Sequence, residues 1–401
     1  MSTGKSRRSG KSKKTSNLRE PRAEYHRPGG SAALPQFLPG LELTDNAVPG
    51  SDLTHSVEAA FRRYGIEGEN VFLAIAARCV QDSHVRQNAF EVFQYERGLE
   101  VLDLVAHDRQ VGSLLSRIAA GPEGVAHLPF WYQYFLGRRF REGSGKFFTP
   151  KSVARSMTNL LPLEAGLTYC DPTCGGGTFL HEAAKLLDGS PCELVANDVD
   201  RTLVGLTEVV LCLTCSSAQK RHLFCDNIYD RGLFLETYAG RVDCVLANPP
   251  FSLPLHTVGT RSALFGMGYR NSDAVFLDIC RDLLKEGGHL VCLLPHSIVV
   301  NADYARLRSH VEHHWDLCGI ITLPEGVFYM TASTTTRADI IHLRKNTVKA
   351  LSPTKIYLAN APSVGVPLNS RDTMSAQNAL AEVAAAVRAQ GCATDVEDTG
   401  R

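Results

Sequence analysis

No apolar run in this 401-residue chain approaches the roughly 20 residues needed to cross a bilayer. That excludes a membrane-spanning helix. The first residues also lack the apolar stretch of a secretory leader. Cys212 and Cys215 form one Cys-x-x-Cys pair, but no second pair follows at zinc-site spacing, so no metal is expected. Net charge is absent as well, because 42 Lys and Arg balance 42 Asp and Glu. No internal repeat is found. The twelve cysteines sit mostly in apolar runs, as at Cys244, Cys292 and Cys318, where a reduced thiol behaves as a small hydrophobe. This usage fits a reducing, cytoplasmic compartment.

What is present is a globular composition, 44% hydrophobic and 21% charged. The charge is unevenly placed. Residues 1–30 hold nine Lys or Arg against Glu20 and Glu24, a formal +7 that the remainder balances with −7. Residues 1–50 read as a disordered basic tail, solvated or grazing phosphates. A helical domain is expected over 51–142, because apolar residues recur at three- and four-residue steps. They include Val57, Ala60, Phe61 and Tyr64, then Val71, Phe72, Ile75 and Ala76, then Phe90, Phe93, Leu99 and Leu102. The aromatic run Phe130–Phe135 reads as packing between domains rather than as a binding surface.

A second domain is expected over 143–360, with a terminal helix and tail over 361–401. Thr149 is expected to cap a helix that runs to Leu161, with Pro150 in its first turn. Short apolar strands then alternate with helices. The strands expected are Thr168–Asp171, Glu193–Asp198, His222–Asp226, Asp243–Asn248, His289–Pro295, Gly319–Leu323, Asp339–Leu343 and Lys355–Leu358. Helices are expected at Thr178–Leu187, Arg201–Leu213, Asp273–Lys285, Tyr304–His314 and Thr373–Arg388. The alternation implies an α/β fold, a doubly wound and mostly parallel sheet covered on both faces.

Ligands in such folds sit beyond the carboxyl ends of the strands. The first strand ends in Asp171 and a turn containing Gly175, Gly176, Gly177 and Thr178. It is not a Gly-x-Gly-x-x-Gly fingerprint, and a carboxylate at Asp171 suits an ammonium or sulfonium better than a pyrophosphate. The second ends in Asn197-Asp198, placed for ribose hydroxyls, and the third in Asp226, placed for an adenine amino edge. Each lone Asp reads equally well as a helix cap. The fourth strand delivers Asn248-Pro249-Pro250-Phe251: an amide, two proline carbonyls and an aromatic face, fitted to hold and stack an amino-bearing ring.

Together these segments resemble the adenine-N6 DNA methyltransferases, most closely the modification subunit of type I restriction systems. Phe147–Pro150, Asp171–Leu180, Asn197-Asp198, Asp226, Leu246–Phe251, Leu284–Pro295 and Leu323–Phe328 carry the resemblance, which covers about residues 50–345. It implies a Rossmann-like sheet of the seven-stranded type and S-adenosyl-L-methionine as cofactor. It places the segment Lys146, Phe147, Phe148, Thr149, Pro150 and Lys151 against that cofactor, beside Gly175 to Thr178 and the ribose-holding Asp198. Catalysis would rest on Asn248, Pro249, Pro250 and Phe251. The family usually has Glu where Asp198 stands, and a Gly where Thr178 precedes Phe179. The partners implied are DNA, a separate specificity subunit and a restriction subunit, since no basic or aromatic reading module follows Lys345. The rival expectations are a methyltransferase acting on protein glutamine or RNA, and a catalytically silent subunit of a defence complex.

Overall fold

The sheet runs β3-β2-β1-β4-β5-β7-β6-β8 in the computed structural model. Its strands are β1 Thr168–Asp171, β2 Cys192–Asn197, β3 Gln219–Phe224, β4 Val242–Ala247, β5 Leu284–Pro295, β6 Trp315–Thr322, β7 Ala338–Lys345 and β8 Tyr357–Asn360. The structure describes residues 51–82, 94–119, 121–140, 148–259, 262–328, 336–346, 356–368 and 377–389. The basic tail, the Gly-rich bend at 142–145, Lys146, Phe147, Phe90, Phe93, Lys355 and the last dozen residues lie outside them.

All pairings are parallel except those of β7, which runs antiparallel to β5 and β6. β1 has β2 on one side and β4 on the other. The chain therefore winds outward in both directions from β1. The crevice between the carboxyl ends of β1 and β4 is the topological switch point, where open α/β sheets bind ligands.

The central strands are apolar along their whole length because both faces are covered. One face packs on α7 (Lys151–Thr158), α8 (Thr178–Leu186) and a terminal helix, α15 (Ala379–Ala389). The other packs on α10 (Leu233–Tyr238), α12 (Ser272–Leu283) and α14 (Ala305–His314). The short helices α11 (Ala263–Gly266) and α13 (His296–Val300) were not expected from the sequence, nor was α10. Each spans six residues or fewer, too short for a 3.6-residue period to show.

Ahead of the sheet lie α1 (Ser51–Arg62), α2 (Glu69–Gln81), α3 (Tyr95–Val105), α4 (Arg109–Ala119), α5 (Gly121–Ala126) and α6 (Leu128–Phe140). Their apolar stripes close around α2, whose Leu73 to Ala77 are all buried. Tyr64 departs from the expected stripe: it sits at the surface and donates its hydroxyl to Asp108. Trp131 and Tyr132 of the aromatic run are each 1% exposed. They join a cluster containing Leu203, Leu206, Val209 and Val210 of α9 (Arg201–Thr214). The helical segment is thus fastened to the sheet through α9, and the aromatic run is packing.

Two local expectations change. Thr149 does not cap α7: Pro150 occupies the cap position and makes no side-chain cap bond. The Thr149 hydroxyl is engaged elsewhere, and α7 ends at Thr158, short of Leu161.

Trp131→Ala should cost about 3–5 kcal/mol, because a buried indole leaves a cavity that its neighbours cannot fill. A urea unfolding curve with a lowered midpoint checks this, and an unshifted midpoint would contradict the packing.

Candidate functional site at the carboxyl edge of the sheet

Four strand ends build the site. β1 ends at Asp171, which is 1% exposed. Its Oδ1 accepts the Thr173 N–H at 3.1 Å, while its Oδ2 is buried with no hydrogen-bond partner. Burial, reinforced by the Asp198 charge, holds the Asp171 carboxyl well above the usual carboxylate range.

The glycine turn follows. Gly175 and Gly177 have φ of 51° and 78°, left-handed backbone that favours glycine. A Cβ on Gly176 would lie 2.9 Å from both Phe148 Cε1 and Pro129 Cβ, and one on Gly177 would lie 3.0 Å from Thr207. Those two glycines thus have packing reasons of their own. Only Gly175 has room, with Phe148 as its single neighbour at 3.9 Å. Thr207 of α9 also donates to the Gly175 carbonyl at 2.9 Å.

Asp198 takes the Gly175 N–H at 3.0 Å and the Asp200 N–H at 2.9 Å, which fixes the turn against β2. Asn197, fully buried at the end of β2, braces the loops after β1 and β3. Its amide donates to the Pro172 and Asp226 carbonyls, each at 3.0 Å, and its oxygen accepts the Asp226 N–H at 2.9 Å. Asp226 Oδ2 accepts the Phe234 N–H at 2.8 Å, at the start of α10. The cap reading thus has a physical counterpart at Asp226, whereas α9 is capped by Asp200.

Beyond β4 the Asn248 amide nitrogen donates to Thr149 Oγ1 at 3.1 Å. This bond joins residues 99 apart in sequence. Phe148, next door, lies against the glycine turn and 6.1 Å from the Tyr132 ring centroid. The pair Phe148-Thr149 therefore spans from the first strand's turn to the fourth's. Phe251, half-buried, meets Phe328 edge-to-face at 5.9 Å and 83°. Pro150 is buried at the start of α7, and Lys151 and Thr178 are half-buried in the first turns of α7 and α8.

The double-proline turn is clamped from α12. Ser272 Oγ donates to the Pro250 carbonyl at 2.7 Å and accepts the Leu253 N–H at 3.0 Å. Asp273 accepts the Ser252 N–H at 2.9 Å and the Ser252 hydroxyl at 3.2 Å, where Ser252 itself has a φ of 53°. Sequence reading missed this clamp. Asn271-Ser272-Asp273 has the composition of an ordinary helix start, and that hides its second role. His296, after β5, ties β5 to β7 through a 2.8 Å contact with Asp339.

The sheet order and the crevice define the protein class first: a class I, Rossmann-like methyltransferase fold. A crystal structure of a candidate class I S-adenosylmethionine-dependent methyltransferase from Listeria monocytogenes shares it. The TM-score is 0.55 at 20% identity, covering 84% of this chain and 99% of that one. The N-6 DNA methylase family profile matches residues 128–396, and the chain belongs to that family. The type II methyltransferase M.VspI of a Vibrio species is 28% identical over 194 residues, 47% of this chain and 45% of the relative. The type I restriction enzyme EcoEI methylase subunit of Escherichia coli is 24% identical over 236 residues, 55% and 47%. A tRNA (guanine(10)-N2)-dimethyltransferase of Methanothermobacter thermautotrophicus is 27% identical over 200 residues, 45% and 51%. The chain spans about half the length of the curated relatives it matches.

Asp273 supplies a pH test. Burial raises its carboxyl from 3.8 to about 6, against the hydrogen bonds from Ser252. The folded protein therefore holds this proton more tightly than the unfolded chain. The associated stability is fully present below about pH 4 and is lost as pH rises through about 6. Urea midpoints for wild type and Asp273→Asn should diverge across that window. Parallel curves would contradict the burial.

Proposed function

We propose that this chain transfers a methyl group from S-adenosyl-L-methionine to adenine N6 in DNA, as the modification subunit of a type I-like restriction system. The observation that carries the reading is the Thr149–Asn248 hydrogen bond, which sets an oriented amide beside the switch-point crevice. The residues also fit a cationic nucleoside. Asp171 Oδ2 is a buried acceptor without a partner, and Gly175 leaves open space beside it. Asp171 would face the charged end of the cofactor, Asp198 the ribose and Asp226 the adenine. Phe148, Thr149, Pro150, Lys151 and the glycine turn through Thr178 would line the approach, continuing from Lys146 and Phe147. When bound, S-adenosyl-L-methionine supplies an electrophilic methyl group on a sulfonium.

Asn248 and Pro249 do the work on the acceptor. Thr149 fixes the amide nitrogen of Asn248, and its carbonyl oxygen accepts one hydrogen of the target amino group. The Pro249 carbonyl accepts the other. Both acceptors stabilise the positive charge that develops on that nitrogen, and neither must reorganise. Ser272 holds the turn through the Pro250 carbonyl. A duplex base must leave the stack first, at a cost of a few kcal/mol. Stacking on Phe251, supported from behind by Phe328, offsets about 1–3 kcal/mol of it. No strong base is needed, since the product ammonium loses its proton readily.

A specificity subunit, and a restriction subunit beside it, belong to the same proposal, supported by the type I methylase relative. So does a cytoplasmic location, supported by eleven described cysteines that are thiols, most of them buried. The tRNA-modifying relative favours a second reading, an exocyclic amine in RNA, to be tested in parallel.

Asn248→Ala should cut methyl transfer roughly a hundred- to thousandfold with cofactor binding retained. Phe251→Ala should cost roughly ten- to hundredfold. Transfer of labelled methyl from S-adenosyl-L-methionine to duplex DNA and to tRNA, with the specificity subunit present, measures both. Normal turnover in Asn248→Ala would remove the assignment, and label appearing only in tRNA would favour the second reading.

Asp171 adds a linkage. Burial raises its carboxyl and a bound cation would favour the charged form, so cofactor binding should lower its proton affinity and be linked to proton release. Calorimetry in two buffers of different ionisation enthalpy should give different heats for wild type, and a smaller difference for Asp171→Asn. Equal differences in the two proteins would rule out this role.

A further inference from the structure

His289, Cys318 and His342 converge on one face of the sheet, and their ligand atoms all lie within 4.8 Å of one another. They come from β5, β6 and β7, and all three are buried, at 8%, 5% and 0% exposure. The cluster is separate from the crevice. His289 lies six residues before Pro295, roughly 20 Å back along β5 from its carboxyl end.

Three features arrange the cluster. First, β6 bulges at Cys318. Leu317 pairs with Leu343 and Gly319 with His342, so Cys318 is the extra residue. A bulge re-aims a side chain, and here the thiol comes within 4.8 Å of both imidazole ligand atoms, with its sulfur 3.9 Å from the Asp316 carbonyl. Second, the rings face each other, with His289 Nδ1 and His342 Nε2 2.9 Å apart. Third, His342 Nδ1 is 2.9 Å from the Tyr357 hydroxyl. Gly319 makes room for that tyrosine, because a Cβ there would collide with its ring. An imidazole whose far nitrogen is fixed by an outer partner is the usual arrangement of a metal ligand.

We propose that His289, His342 and Cys318 form a binding site for a zinc ion, with a water in the fourth position. Two imidazoles and one thiolate make a borderline-soft donor set, suited to zinc and unsuited to magnesium or calcium. The fit is close. Tetrahedral zinc with bonds of about 2.0–2.1 Å sets its nitrogens roughly 3.3 Å apart. The two rings, now at 2.9 Å, need only part by a few tenths of an ångström. With zinc bound, His342 Nδ1–H donates to the Tyr357 oxygen and His289 carries its proton on Nε2. The Cys318 thiol proton leaves to solvent, so loading releases one proton. The ion staples the antiparallel strand β7 to both of its neighbours. Sequence reading has no access to the site, since the ligands lie on three strands and share no local spacing.

The test uses the purified full-length chain, stripped with chelator and titrated with Co²⁺ as a spectroscopic probe, then with Zn²⁺. One equivalent of Co²⁺ should produce a thiolate-to-metal charge-transfer band in the near ultraviolet and intense visible bands of a tetrahedral site. Zn²⁺ should bleach both and raise the melting temperature by several degrees, dependent on its concentration. Cys318→Ser should abolish the charge-transfer band while keeping the wild-type urea midpoint without metal. Tyr357→Phe, which keeps the ring, should weaken Zn²⁺ binding about ten- to hundredfold. Absence of the band at stoichiometric Co²⁺ would overturn the proposal. So would a band that persists in Cys318→Ser, since another of the cysteines would then be the ligand.

Discussion

Two consecutive residues, Phe148 and Thr149, connect the halves of the crevice. Phe148 presses on Gly176, where any side chain would collide with it, and Thr149 holds the Asn248 amide at 3.1 Å. The turn after β1 and the turn after β4 follow neighbouring parallel strands, from which the chain winds outward to opposite sides of the sheet. Nothing in the backbone ladder fixes the relation of those turns to each other beyond the β1–β4 pairing. The Phe148-Thr149 pair adds that fixed relation through side chains. A hydrogen bond of this kind contributes only about 1 kcal/mol to stability. Its value is directional: it fixes the orientation of the Asn248 amide.

Around that pair the molecule is built to resist movement. Asn197, at the end of β2, ties the loops after β1 and β3 together, with both its amide atoms engaged. Ser272 and Asp273 pin the double-proline turn from the start of α12. The cost is concentrated in two buried carboxyls, Asp171 and Asp273, both pushed upward by desolvation. A site that must present oriented acceptors cannot rely on solvent to orient them, so the burial is a consequence of the chemistry proposed.

Much of this was legible in the sequence, for physical reasons. β1 falls at its expected residues, and β2, β4 and β7 within a residue or two, because strands buried on both faces read as continuous apolar runs. α8 and α9 begin where expected, at Thr178 and Arg201. The side-chain bonds were not legible. Thr149 precedes a helix and has a capping residue's identity, yet its partner lies 99 residues away. Gly176 and Gly177 read as ligand-approach glycines, but their immediate neighbours are Phe148, Pro129 and Thr207. Local pattern reports the ladder and the caps. It cannot report contacts made between loops.

The most direct measurement concerns Thr149 itself. Thr149→Val keeps the volume and removes the acceptor of the Asn248 amide, while Thr149→Ser keeps the hydroxyl. The account predicts that Thr149→Val lowers the methyl-transfer turnover number at least about tenfold with cofactor affinity unchanged, and that Thr149→Ser stays close to wild type. Equal turnover in Thr149→Val and wild type would show that the Asn248 amide is not held by this bond, and would contradict the account.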